Sequence, residues 1–279
     1  MKKFARTVLR WDRIGDEERE RWRSCYYLML RAVLFLSGFL RLNLNFLARL
    51  SRTDKADGHT YPPIYEQYLH KYRNQKVTLL ELGVGGYKKP EGGDSLRMWQ
   101  AYFRRGRIVG LDIFDKTFLS KGRVKVYQGS QTDRDILERL TREYPSFDVI
   151  IDDGSHVNSH QIKSFEMLFP NLKQGGVYIV EDVQTSYWPA YGGGDLSSDG
   201  YKASAMHFFK NLADGLNYSE YLIDGYEPSY YDKNIFSIGF YHNLIIIEKG
   251  DNTESSNVQV TDQPRIEKLR HGTAEDGIV

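Results

Sequence analysis

The stretch Phe147-Asp148-Val149-Ile150-Ile151-Asp152-Asp153-Gly154-Ser155-His156 decides the fold. It starts as a strand-length apolar run without the clean alternation of a half-solvated strand. Both of its faces are therefore expected to be covered, as in a parallel sheet between two helix layers. The run then breaks at once into carboxylates and an imidazole. A charge at the end of a core strand is costly unless something pairs with it, so these groups either reach water or face a site.

Outward from this stretch the same rhythm repeats. Strand-like segments at 77–81, 107–111, 124–127 and 176–180 alternate with helix-like segments at 95–104, 133–143 and 159–169. Strand, helix, strand in that order implies a three-layer, Rossmann-like α/β domain with a mostly parallel sheet. Two β-rich runs, 235–240 and 244–248, are separated by Tyr241-His242-Asn243 and read as an antiparallel hairpin at one edge. The expected organisation is a helical amphipathic arm over 1–50, the α/β domain over 51–250 and a polar tail over 251–279 that lacks a sustained apolar period and is expected to be mobile. Between arm and domain, SRTDKADGHTY (51–61) reads as a linker or a loop that could fold over a site.

The totals narrow the function class. A 279-residue chain with 41% hydrophobic residues can bury one sizeable core. With 38 Lys and Arg against 37 Asp and Glu, the net charge of +1 gives no electrostatic footprint for nucleic acid. The single cysteine, Cys25, excludes an intramolecular disulfide and a thiolate-rich metal site, which fits a reducing cytoplasm. In the apolar segment 26–50, Arg31, Arg41 and Arg49 interrupt the run, so it is too short to span a bilayer. On a helix these arginines gather with Ser24, Gly38 and Asn45 opposite a wide apolar face. Such an arm can pack on its own core, join another subunit in a homo-oligomer, or lie against the inner face of a membrane.

The first strand runs into glycines: Leu79-Leu80-Glu81-Leu82-Gly83-Val84-Gly85-Gly86. Glycines such as Gly83 and Gly85 let the backbone approach a nucleotide-like ligand at the carboxyl end of a parallel sheet. The dinucleotide fingerprint G-x-G-x-x-G fails here, because Lys88 stands where its third glycine would be. Glu81 would crowd a pyrophosphate but can pair with a cationic ligand. Asp112, ending the second strand, is placed to accept both ribose hydroxyls, and Ser130 and Gln131, after the third, can line an adenine pocket. A glycine turn, an acid after the second strand, polar residues after the third and a terminal hairpin describe the class I S-adenosylmethionine-dependent methyltransferase plan.

The fifth strand, Gly175 to Val180, ends in Glu181-Asp182. Adjacent parallel strands present their carboxyl ends on one edge, so Asp153, Glu181 and Asp182 should converge beside the cofactor cleft. Two like charges about 4 Å apart at an effective dielectric near 20 repel by roughly 4 kcal/mol. Neither flanking segment supplies a base, so a divalent cation is the simplest remedy. An all-oxygen set favours Mg²⁺, with Mn²⁺ as a relative. His156, three residues beyond Asp153, can reach a metal-bound group, and imidazoles titrate where a general base works best. His59 and His160 are weaker candidates. The loop Tyr187 to Tyr191, followed by three glycines, can offer aromatic faces for stacking and close as a lid.

FDVIIDDGSHVNSHQIKSFEMLFPNLKQGGVYIVEDVQTSYWPAYGGG, with LLELGVGGY, GGDSLRMW, IVGLDIFDK and TDKADGHTYPPIYE, resembles the metal-dependent sugar O-methyltransferases of macrolide biosynthesis, which modify the deoxysugars of mycinamicin and tylosin. The resemblance covers 53–250. It implies Mg²⁺ at Asp153, Glu181 and Asp182, His156 as the base acting with Asp153, and Glu81, Ser95, Asp112 and Gln131 around S-adenosylmethionine. The implied reaction is methyl transfer to a sugar hydroxyl of a glycan or glycosylated metabolite. A methyltransferase of catechol-like or other diols, and a non-catalytic membrane-surface scaffold, are the alternatives.

Overall fold

The computed structural model describes residues 42–87, 92–256 and 269–270. Most of the amphipathic arm (up to residue 41), the insert 88–91 and most of the tail lie outside the described residues. Among the described residues seven strands form one sheet: β1 (Thr78–Leu82), β2 (Arg107–Asp112), β3 (Val124–Gln128), β4 (Phe147–Asp152), β5 (Leu172–Glu181), β6 (Ile235–Tyr241) and β7 (Leu244–Lys249). Their order is β3-β2-β1-β4-β5-β7-β6, with β1 to β5 parallel and the β6–β7 hairpin antiparallel, as the sequence implied.

Burial on both faces explains the missing alternation in 147–151. Val149 and Ile151 enter one core with Leu79, Val177 and Ile179. Helices α1 (Leu44–Ser51), α3 (Tyr61–Leu69) and α4 (Asp94–Tyr102) cover this core, contributing Leu44, Leu47, Tyr65 and Trp99. Ile150 points to the other, with Leu80, Leu82, Tyr178 and Val180, under α5 (Arg134–Glu143), α6 (Asn158–Leu168) and α8 (Ala205–Asp214). Each such side chain contributes about 1.5–3 kcal/mol when fully buried, so either layer lost would expose one face of every strand.

Helix α1 runs across the expected arm boundary at 50/51 and is buried in the first core; Asn43 caps it by accepting from the Phe46 N–H (2.8 Å). The segment read as a linker contains a short helix, α2 (Asp54–Asp57), seated between α1 and α3. Two other short helices, α7 (Asp199–Lys202) and α9 (Tyr230–Asn234), flank α8 and β6. The described part of the tail is held on the domain, since the Asn252 amide donates to the carbonyls of Leu216 (3.2 Å) and Asp232 (2.8 Å). Among the described residues no helix is long and apolar enough to cross a membrane.

The strand order reverses between β1 and β4, and ligands of open α/β sheets bind at the carboxyl ends of the strands at such a switch point. Register then fixes the neighbours. Leu82 pairs with Asp152 and Asp152 with Val180, so Gly83, Asp153 and Glu181 come out level on one edge.

Candidate active site

The site has a buried floor and a half-open upper tier. In the floor, Lys55 is 1% exposed and its Nζ lies 2.6 Å from Asp153 Oδ2, 2.6 Å from Glu181 Oε1 and 3.6 Å from Glu81 Oε1. Tyr65 donates its hydroxyl to the same Glu181 oxygen at 2.5 Å. Glu81, fully buried, accepts from Ser95 Oγ (2.8 Å) and Trp99 Nε1 (3.1 Å). The flanking segments supply no base, as expected, but a distant one does: Lys55, 98 and 126 residues away, offsets the charges that two strand ends bring together, so a divalent cation is not the only remedy for their repulsion.

In the upper tier, His156 Nε2 is 3.5 Å from Asp182 Oδ2 and 3.9 Å from Asp153 Oδ1. Asp182 Oδ1 accepts from the Tyr61 hydroxyl (2.8 Å) and lies 3.4 Å from His59 Nε2, whose ring stacks on Tyr61 at 4.5 Å. Tyr61 and Tyr65 are one helical turn apart on α3, so one face of that helix presents both hydroxyls to the acids. His160 turns away and pairs with Ser155 Oγ (2.9 Å).

Electrostatics follow from this layering. Burial works against the Lys55 ammonium, yet Asp153, Glu181 and Glu81 outweigh it and hold its pKa well above the ordinary lysine value. Burial, with Asp153 adding to it, drives Glu181 well above the usual carboxylate range against the pull of Lys55. Asp153, with 23% of its side chain exposed, is raised by partial desolvation and pulled back by Lys55 and His156. Burial lifts Glu81 to about 7, moderated by Lys55.

On the cofactor side, Gly83 and Gly85 hold left-handed backbone, φ +82° and +74°. A Cβ on Gly83 would stand 2.0 Å from the Asp153 carbonyl, whereas one on Gly85 would meet nothing within 4 Å among the described residues. Gly83 therefore locks the turn against β4, and Gly85 leaves open room above it. Asp112 accepts from the N–H groups of Val84 (2.9 Å) and Phe114 (2.8 Å), which leaves lone pairs on both oxygens. Ser130 pairs with Thr132 (3.0 Å). Gln131 is held inside the protein: its amide donates to Asp152 (3.0 and 3.1 Å) and its carbonyl accepts from the Ser155 N–H (2.7 Å). The loop expected as a lid is pinned by Asn158, whose amide donates to the carbonyls of Thr185 (3.1 Å) and Tyr191 (2.9 Å).

Of the residues read as ligands and base, Asp153, His156 and Asp182 come together with one donor atom each within 4.8 Å of one another. Asp153 Oδ1 and Asp182 Oδ2 accept no hydrogen bond from the described residues other than what His156 could offer, so this donor set suits a small, hard divalent cation. Glu181 is beside them, with one oxygen taken by Lys55 and Tyr65. Sequence reasoning missed Lys55, Tyr61 and Tyr65. All three lie within TDKADGHTYPPIYE, and a lysine in a polar turn carries no mark of burial.

No family model matches the chain. The mycinamicin VI 2''-O-methyltransferase of Micromonospora griseorubida is 44% identical over 198 residues, which are 70% of this chain and 49% of that protein. The demethylmacrocin O-methyltransferase of Streptomyces fradiae is 44% identical over 198 residues, 70% of this chain and 50% of its own. The chain thus spans about half the length of the curated relatives it matches. Among solved structures, the MycE methyltransferase of mycinamycin biosynthesis, in complex with Mg and SAH, superposes with a TM-score of 0.75 at 40% identity, over 82% of this chain and 60% of that one. The resemblance read from the motifs holds, and the fold is that of class I S-adenosylmethionine-dependent methyltransferases.

Proposed function

We propose that this relative of the macrolide-sugar O-methyltransferases moves a methyl group from S-adenosylmethionine to a sugar hydroxyl of a glycan or glycosylated metabolite. The observation that carries the reading is the convergence of Asp153, His156 and Asp182 at strand ends that abut the Gly83 turn. The names of the relatives supply the acceptor class. Asp153 and Asp182 are the proposed Mg²⁺ ligands, with Glu181 completing the set from the floor. A bound divalent cation would supply acidification of a coordinated hydroxyl and hold adjacent oxygens.

His156 is the proposed base. Its Nε2 takes the acceptor proton, the sulfur–methyl bond breaks as the oxygen–methyl bond forms, and the donor leaves as a neutral thioether. Asp182 and Asp153, at 3.5 and 3.9 Å, stabilise the resulting imidazolium. Asp112 and Ser130 are the proposed cofactor contacts; Glu81, fully buried and bonded to Ser95 and Trp99, stands behind the turn rather than against the ligand, which corrects its reading as a direct contact. Helix α1 packs on the chain's own core, so it is the preceding part of the arm, 26–41, that is proposed to meet a second copy of the chain or the inner face of a membrane, in a reducing cytoplasm; light scattering and vesicle sedimentation check it.

The test is transfer of a labelled methyl group by the full chain to glycosylated acceptors, with and without EDTA. Sugar O-methylation that EDTA abolishes and Mg²⁺ restores is the expected result. Undiminished transfer in EDTA would overturn the metal role, and transfer to catechols alone would overturn the sugar.

A further inference from the structure

Among the described residues, Lys55 is a fully buried ammonium that touches the strand-end acids from outside the sheet, and the methyl-transfer chemistry makes no use of it. Its contacts are selective. It takes Asp153 Oδ2, leaving Oδ1 on the side of His156, and it takes Glu181 Oε1, leaving Oε2 without a hydrogen bond among the described residues. Tyr65 grips the same Glu181 oxygen, and Glu81 at 3.6 Å holds the ammonium from behind. Two carboxylates at neighbouring strand ends are thereby each held by one oxygen, with Asp153 Oδ1 free to face His156.

We propose that Lys55 is a positioning residue for the cation site, fixing Asp153 and Glu181 through one oxygen each so that their other oxygens are preorganised for a divalent ion. The inference rests on the metal-dependent reading above. Partners that orient a ligand from behind are commonly worth about ten- to a hundredfold in metal affinity. The opposite role, a lysine that merely competes with the ion for the same carboxylates, has the opposite signature: its removal would tighten binding.

The experiment is calorimetric titration of the full chain with Mn²⁺, and separately with S-adenosylhomocysteine, for the wild type, Lys55→Met and Lys55→Arg. The expected result is that Lys55→Met weakens Mn²⁺ about ten- to a hundredfold while still binding S-adenosylhomocysteine, and that Lys55→Arg recovers part of the loss. A merely structural lysine would weaken both ligands together, which overturns the proposal. So does unchanged or tighter Mn²⁺ binding by Lys55→Met. If Lys55→Met does not fold, Lys55→Gln replaces it and is read against the same outcomes. A wild type that binds S-adenosylhomocysteine but no divalent ion overturns the metal-dependent reading itself, a result distinct from failure at Lys55.

Discussion

His156 Nε2 stands 3.5 Å from Asp182 Oδ2, and both residues hold left-handed backbone at φ +56°. For a side chain other than glycine this costs on the order of 1–2 kcal/mol, and such strain clusters where function requires a particular orientation. Asparagine tolerates this conformation, so His156→Asn separates chemistry from folding. It is expected to keep its melting temperature and S-adenosylhomocysteine binding while losing about 10²–10⁴-fold in methyl transfer, read by turnover of the labelled cofactor. Unchanged turnover would remove His156 as the base.

The two glycines of the first turn should respond differently. Gly83→Ala places a methyl 2.0 Å from the Asp153 carbonyl on top of a left-handed φ, and is expected to cost about 3 kcal/mol or more. Gly85→Ala meets none of the described residues within 4 Å and is expected to carry only the backbone strain, about 1–2 kcal/mol. Urea denaturation of the two variants side by side checks the order.

Glu81 gives stability a pH dependence. Its folded pKa, about 7, lies above the unfolded value, so the folded state binds the proton more tightly. That contribution is present at acid pH and is lost as pH rises through 7. In Glu81→Gln it is absent. The stability gap between wild type and variant is therefore expected to change by about 2 kcal/mol, to the disadvantage of the wild type, between pH 5 and pH 8. A gap that does not move with pH, measured by urea denaturation, would show that Glu81 keeps an ordinary carboxylate pKa.

Phe165 is fully buried and packs its ring against Phe169 (4.8 Å), Phe209 (5.0 Å) and Tyr178 (5.1 Å), joining α6, α8 and β5. Phe165→Ala is expected to cost about 3–5 kcal/mol. The same denaturation experiment reads it, and a loss under 1 kcal/mol would mean that this layer closes over the cavity.

Most of the fold was legible because its signal is local. The strand expected at 147–151 is β4, Phe147–Asp152, and the edge hairpin falls where Tyr241-His242-Asn243 placed it. The start of β5 was not legible. Lys173, Gln174 and Gly175 are exposed, so no apolar pattern marks them, and the strand begins at Leu172 because that residue pairs with Phe147. In the site, the acids were readable as charges ending core strands. Gln131, after β3, pairs with Asp152 at the end of β4 and with Ser155, and that pairing exists only once the strands between them have assembled the carboxyl edge of the sheet.

By itself the sequence determined that apolar runs end in acids on neighbouring strands beside a glycine turn, since run length and strand polarity are properties of consecutive residues. Only the tertiary structure decided which cation meets those acids. A lone lysine in a polar turn is ordinarily solvated, and its burial becomes favourable only when carboxylates from separate strands stand within 2.6 Å of it. That proximity, across 98 and 126 residues of chain, exists only once the sheet has formed.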